Sequence, residues 1–210
     1  MKTVIVTGVT GQDGSHMVDY LLKNTDYKIY GGVRRLSVSN HENLRHIEND
    51  RFELIDLDVA DSQSNANAIQ KYQPNYFINF AANSFVGCSW DMPLNHMQTN
   101  CLAVMFQLEA IRKFAPNCRY YNAGSSEEFG NVEYAPQDER HPLKPRSPYG
   151  ASKAAARQIV KVYRESYNLF AIQPRMFNYE SSARSQEFLS RKVTLGVARI
   201  NWAILNKLPF

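Results

Sequence analysis

Two spacings of apolar residues alternate along the chain. Short runs rich in β-branched and aromatic residues fall at Thr3–Thr7, Lys28–Val33, Phe52–Leu57, Tyr76–Phe80, Arg119–Asn122 and Phe170–Gln173. Between them come longer stretches whose apolar positions return every three or four residues: Met17, Val18, Leu21 and Leu22; Val104, Leu108 and Ile111; Ile159, Val160 and Tyr163. The first spacing predicts strands and the second amphipathic helices. Strands and helices in strict alternation predict an α/β fold, a doubly wound parallel sheet covered by helices on both faces. The helical stripes read as core or subunit-packing faces.

Pro136, Pro142, Pro145 and Pro148 mark the stretch from Ala135 to Pro148 as a loop, since proline lacks the amide a helix interior needs. Ser147 and Pro148 then read as the N-cap and first position of a helix, which puts Tyr149 and Lys153 in its opening turns.

Composition narrows the function. The 210 residues can bury one substantial core. The 24 Lys and Arg exceed the 20 Asp and Glu by four charges, but they are dispersed, which speaks against nucleic acid as a partner. The excess would suit a small polyanion, and is as common in proteins that bind nothing charged. Cys88, Cys101 and Cys118 form neither a CxxC pair nor a Cys/His cluster, so no metal and a reducing, cytoplasmic setting are expected. Val4-Ile5-Val6 is far too short for a signal sequence or a membrane span, and no membrane partner is expected.

The first strand runs into Gly8-Val9-Thr10-Gly11-Gln12-Asp13-Gly14, a glycine pattern that opens a helix. In such a turn the first glycine makes the bend, the second lets the backbone approach a pyrophosphate and the third lets helix pack on strand. Free amides at the helix start face the phosphates. The second strand ends in Arg34-Arg35, where NAD-binding members of this Rossmann fold carry an acid for the ribose 2′-hydroxyl. Two guanidiniums suit a 2′-phosphate, so NADP is the expected cofactor. Asp58 and Val59 are placed to contact adenine, and Phe80, Ala81 and Ala82 lie where a cofactor would cross the sheet edge.

Tyr149 and Lys153 stand four residues apart, on one helix face. An ammonium and an oxidised nicotinamide would together stabilise the phenolate, so that Tyr149 could take a hydroxyl proton as hydride leaves. Ser125, beyond the fifth strand, would hydrogen-bond the same oxygen. Glu127 could serve as base for a proton on carbon; the other reading is that Glu127 or Glu128 only caps the loop.

With these residues in place the chain resembles the GDP-mannose 4,6-dehydratase family of extended short-chain dehydrogenases. The likeness runs through Thr7–Gly14, Val33-Arg34-Arg35, Asp58–Ser62, Arg146–Tyr149, Tyr163–Tyr167, Phe177-Asn178 and Arg191-Lys192. It implies Ser125 as hydroxyl partner, Glu127 as base, Tyr149 as redox acid and base, and Lys153 as its tuner. It also implies a nucleotide sugar, GDP-mannose foremost, near Ser84, Ser125, Ser126, Glu127, Asn178 and Lys192. Cofactor contacts are implied at Gly8, Thr10, Gly11, Gln12, Asp13, Gly14, Ser84, Tyr149, Lys153, Tyr179 and Arg184. Residues 1–172 would form the NADP-binding domain, and 173–210 the beginning of a substrate-binding domain that the family continues further.

Several positions depart from the family. Ser125 stands for its threonine and Tyr179 for its histidine, while Ala183-Arg184-Ser185 replaces two arginines and a glycine. A Gly-Asn-Leu-Asp-like segment of the family is not found. Three readings therefore stand: a dehydratase; a 4-keto-6-deoxy sugar nucleotide reductase or epimerase; and a catalytically silent NADP-binding module. A homo-oligomer is expected, a dimer or tetramer, with the dimer built on the helices around Met97–Phe114 and Ala151–Tyr167, because both carry apolar residues on more than one face.

Overall fold

Val4, Ile5 and Val6 have no solvent exposure, and each faces the opposite side of the sheet from its neighbour, as a strand buried on both faces requires. Ile5 packs with Phe77, Leu108, Ile111 and Val160, whereas Val4 and Val6 pack with Val18, Leu21 and Ile29. These two clusters are the two halves of the core. A computed structural model describes residues 1–206 of the chain, with side-chain surroundings through residue 202.

Six parallel strands, β1 (Thr3–Thr7), β2 (Lys28–Val33), β3 (Phe52–Asp56), β4 (Tyr76–Asn79), β5 (Arg119–Asn122) and β6 (Ala171–Ile172), lie in the order β3-β2-β1-β4-β5-β6. This is the expected doubly wound sheet. The direction of winding reverses between β1 and β4, where the carboxyl ends of the strands leave a crevice for a ligand. β3, β4 and β6 end earlier than the apolar runs suggest, because the chain leaves the sheet while still hydrogen-bonded to it. Leu57 N–H still donates to Val33 O (2.9 Å) and Phe80 N–H to Thr7 O (3.3 Å).

The helices are α1 (Gln12–Asn24), α2 (Ser62–Tyr72), α3 (Pro93–Met97), α4 (Ala103–Phe114), α5 (Pro148–Tyr167) and α6 (Leu189–Asn206). Their starts follow local chemistry. The Asp61 carboxylate accepts from Gln63 N and Ser64 N at the head of α2, and Ser147 Oγ accepts from Gly150 N with Pro148 opening α5. A wider π-helical turn, Gln98–Leu102, joins α3 to α4. The chain forms two compact units, Met1–Asn178 and Tyr179–Phe210. No helix among the described residues is long and apolar enough to cross a membrane.

Candidate functional site

At the carboxyl end of β1 the three glycines occupy three distinct conditions. Gly8 has φ +70°, and a Cβ there would sit 2.7 Å from Ala81 N. Gly14 abuts the Gly8 carbonyl, and its Cβ would lie 2.6 Å from Val9 Cα. Gly11, the N-cap of α1, is exposed, and a Cβ there would lie 3.3 Å from the Gly8 carbonyl oxygen. Bend, close packing and open approach are thus divided among the three as a pyrophosphate cradle needs. Thr10 is held through its carbonyl, which accepts from Asn43 Nδ2 (2.9 Å). Gln12 is buried, and Asp13 lies in the first turn of α1.

Arg34 and Arg35 follow β2 directly, are exposed, and carry no ion pair among the described residues. Asp58 is half-buried; its carboxylate accepts from Ala60 N (3.0 Å), beside the buried Val59. Phe80, Ala81 and Ala82 leave β4 next to Gly8, and Ser84 is exposed beyond them. These are the positions from which a dinucleotide laid across the sheet edge would be held at several points.

The catalytic candidates gather after β5 and at the head of α5. Ser125 caps a short turn over Ser126–Glu128: its Oγ accepts from Glu127 N (3.2 Å), and its own N–H donates to Glu128 Oε1 (2.8 Å). Glu128 has no exposure and pairs with Arg157. Glu127 is exposed, and its carboxylate has no partner among the described residues. The two glutamates divide: Glu128 does the capping, and Glu127 is left available. Ser126 is tied down through its N–H to Met176 O (2.8 Å).

Tyr149 is buried, with Lys153 Nζ 6.0 Å from its ring centroid and the His96 ring edge-on at 6.3 Å. Lys153 Nζ donates to Ala123 O (2.8 Å). Burial pushes the Lys153 ammonium down to about 8, while the charges of Glu128 and Asp13 work in the opposite direction. A cation that titrates so close to neutrality can stabilise a phenolate and still exchange a proton.

Beneath these groups a row of buried polar side chains crosses the sheet. The Thr7 hydroxyl donates to Asn79 Oδ1 (2.5 Å), Asn79 Nδ2 to Asn122 Oδ1 (2.7 Å) and Asn122 Nδ2 to Gln173 Oε1 (2.7 Å). Gln173 Nε2 then donates to Glu128 Oε1 (3.0 Å) and to Lys153 O (2.9 Å). Asn100, turned inward by the π-helical turn, accepts from Asn83 N and donates to Asn83 O and Ser152 Oγ. It fastens the segment before Ser84 to the turn between Tyr149 and Lys153.

Sequence reasoning missed Asn79, Asn100, Asn122 and Gln173. For three of them a signal existed, a polar residue closing each of the apolar runs of β4, β5 and β6. Asn178 is exposed at the end of the first unit; Tyr179, Arg184 and Lys192 belong to the second. Within that unit Arg184 pairs with Glu180 (3.4 Å) and lies over the Phe188 ring, and Lys192 is exposed on α6.

The GDP-mannose 4,6 dehydratase family model matches residues 5–209. The chain is similar to a GDP-mannose 4,6 dehydratase of Drosophila melanogaster, 38% identical over 208 residues that cover 95% of this chain and 52% of that protein. It is similar also to a GDP-mannose 4,6-dehydratase of Vibrio cholerae, 37% identical over 207 residues covering 95% and 55%. The chain spans about half the length of the curated relatives it matches. Among solved structures, a dTDP-glucose 4,6-dehydratase from Streptomyces venezuelae with NAD bound superimposes with TM-score 0.85 at 23% identity, over 94% of this chain and 62% of that one. A UDP-glucuronic acid 4-epimerase from Bacillus cereus in complex with NAD gives 0.81 at 20%, over 99% and 64%. These two likenesses bear on the fold.

Proposed function

The chain belongs to the GDP-mannose 4,6 dehydratase family, and from that premise we propose that it acts on a nucleotide sugar, GDP-mannose foremost, removing water by way of a 4-keto sugar with NADP recycled. A bound nicotinamide dinucleotide supplies the site that takes up and returns hydride. Gly8, Thr10, Gly11, Gln12, Asp13 and Gly14 hold its pyrophosphate at the head of α1. Arg34 and Arg35 pair with a 2′-phosphate, Asp58 and Val59 meet the adenine, and Phe80, Ala81, Ala82 and Ser84 contribute further contacts.

Tyr149 takes the proton from the sugar's O-4, with Lys153 stabilising the phenolate and Ser125 hydrogen-bonded to the same oxygen. The new carbonyl acidifies the C-5 proton. Glu127 removes it and passes it to the C-6 hydroxyl, which leaves as water as the C-5–C-6 double bond forms. Ser84, Ser126 and Asn178 orient the nucleotide sugar. The reading includes a cytoplasmic setting and a homodimer through α4 and α5, where Val162 and Tyr167 are exposed.

The observation that carries the elimination step is the division between the glutamates: Glu128 is spent on Ser125 and Arg157, and Glu127 is exposed without a partner among the described residues. A single-turnover absorbance trace with GDP-mannose and NADP tests it. Glu127→Gln should build up the absorbance of reduced cofactor and lose roughly 10²–10⁴-fold in product. Tyr149→Phe should show no such absorbance, because the first oxidation fails. Parental turnover by Glu127→Gln would return Glu127 to the loop and favour a carbonyl reductase.

A further inference from the structure

The row of side chains under the site has a single direction. From Thr7 to Gln173 every donor points toward β6, the Thr7 hydroxyl to Asn79, Asn79 to Asn122 and Asn122 to Gln173, and Gln173 then donates to Glu128. At the other end Ala81 N–H donates to Thr7 Oγ1 (3.4 Å), beside the glycine loop. An amide can be turned either way, so something must choose. A carboxylate is acceptor-only. Glu128, paired with Arg157, accepts the Gln173 amide nitrogen, as does the equally acceptor-only Lys153 carbonyl; this leaves Gln173 Oε1 for Asn122, and the choice passes amide by amide to Thr7.

We propose that Glu128 is a positioning residue for the reaction, ordering Ser125 through its backbone and the Lys153 turn of α5 through Gln173, in one hydrogen-bonded row with the cofactor loop. The inference rests on the proposed reaction but names a residue outside it. Three contacts make Glu128 more than a cap. Ser125 N–H reaches one carboxylate oxygen at 2.8 Å, Gln173 bridges that same oxygen to Lys153 O, and Arg157 on the other oxygen donates also to Gln173 O (2.7 Å). The serine and the lysine turn are therefore held by one group, which lies a single turn of chain after Ser125 and on a different element from Lys153. Its negative charge also favours the protonated Lys153, against burial.

The test uses the chain labelled with ¹³C at the lysine ε-carbon, the Lys153 resonance being identified by its loss in Lys153→Met. Glu128→Gln keeps an acceptor for Ser125 and Gln173 but removes the charge. Its Lys153 titration midpoint should fall by about one pH unit, and kcat with GDP-mannose should drop roughly 10–100-fold with little change in KM. Glu128→Asp keeps the charge but withdraws the carboxylate from its partners, so the midpoint should stay parental while kcat falls. If Glu128→Gln does not fold, Glu128→Asp decides through kcat. Parental kcat in Glu128→Asp, or an unmoved Lys153 midpoint in a folded Glu128→Gln, overturns the proposal. A parent chain silent toward GDP-mannose would count against the activity alone, since the titration needs no substrate and still decides for or against Glu128.

Discussion

Replacing Lys153 by methionine should abolish a rise of stability with pH that the parent chain shows between about 8 and 10.5. Lys153 is 3% exposed, its ammonium donates to Ala123 O, and burial pushes it down to about 8 from the ordinary lysine value of 10.5. Between those two values the unfolded chain binds a proton that the folded chain has released, so folding becomes more favourable as pH rises through the window. Below about 8 the full cost of burying the cation applies, and the gap corresponds to about 3 kcal/mol. Lys153→Met removes that cost but leaves the Ala123 carbonyl without its donor, a loss of about 1–3 kcal/mol. At pH 7 the two nearly offset, and the variant should be as stable as the parent or up to about 2 kcal/mol more so. The decisive quantity is the difference between the chains across pH, because the Ala123 contribution and all other titrations cancel in it. Urea unfolding of both from pH 7 to 10.5 should show the variant's relative stability falling by about 3 kcal/mol. A difference that stays constant would refute the reasoning, and with it the buried, easily deprotonated lysine on which the proposed role of Tyr149 depends.

Two further outcomes follow from the cofactor side of the site. Arg34→Ala combined with Arg35→Ala should weaken NADP binding by about 1.5–3 kcal/mol while leaving NAD nearly unchanged; calorimetric titration with each dinucleotide reads the selectivity, and equal losses for both would place the 2′-phosphate elsewhere. Gly14→Ala drives a methyl group into Gly8 and Val9, and the overpacking should cost roughly 1–3 kcal/mol in urea unfolding and loosen dinucleotide binding along with it.

Much of the sheet could be read from the chain because parallel strands buried on both faces are written as β-branched and aromatic runs, unbroken in Thr3–Thr7 and interrupted only by Gly31 and Gly32 in Ile29–Val33. The helix at Pro148 was legible for a different reason, since serine followed by proline announces both its cap and its first residue. Spacing could not separate Glu127 from Glu128. Both stand in the same short turn, and only the position of Arg157, 29 residues further on, decides which one is buried. Asn100 was hidden because the stretch around Met97–Phe114 reads as one ordinary helix, whereas the π-helical turn at Gln98–Leu102 alters the phase and brings the amide inward. The polar ends of β4, β5 and β6 were in plain view, but nothing local says that Asn79, Asn122 and Gln173 would meet across strands so distant in sequence.

That meeting also bears on how the chain finds its fold. Thr7 and Asn79 are register partners, as are Asn79 and Asn122, and Gln173 follows the pair Tyr121 and Ile172. A slip of β4 or β5 by one residue would send these side chains to the opposite face and strand buried amides among apolar neighbours. Each orphaned group would cost about 1–3 kcal/mol. Because apolar residues tolerate a slipped neighbour far better than amides do, the row acts as a lock on strand alignment, selecting one sheet from several that the hydrophobic pattern alone would permit.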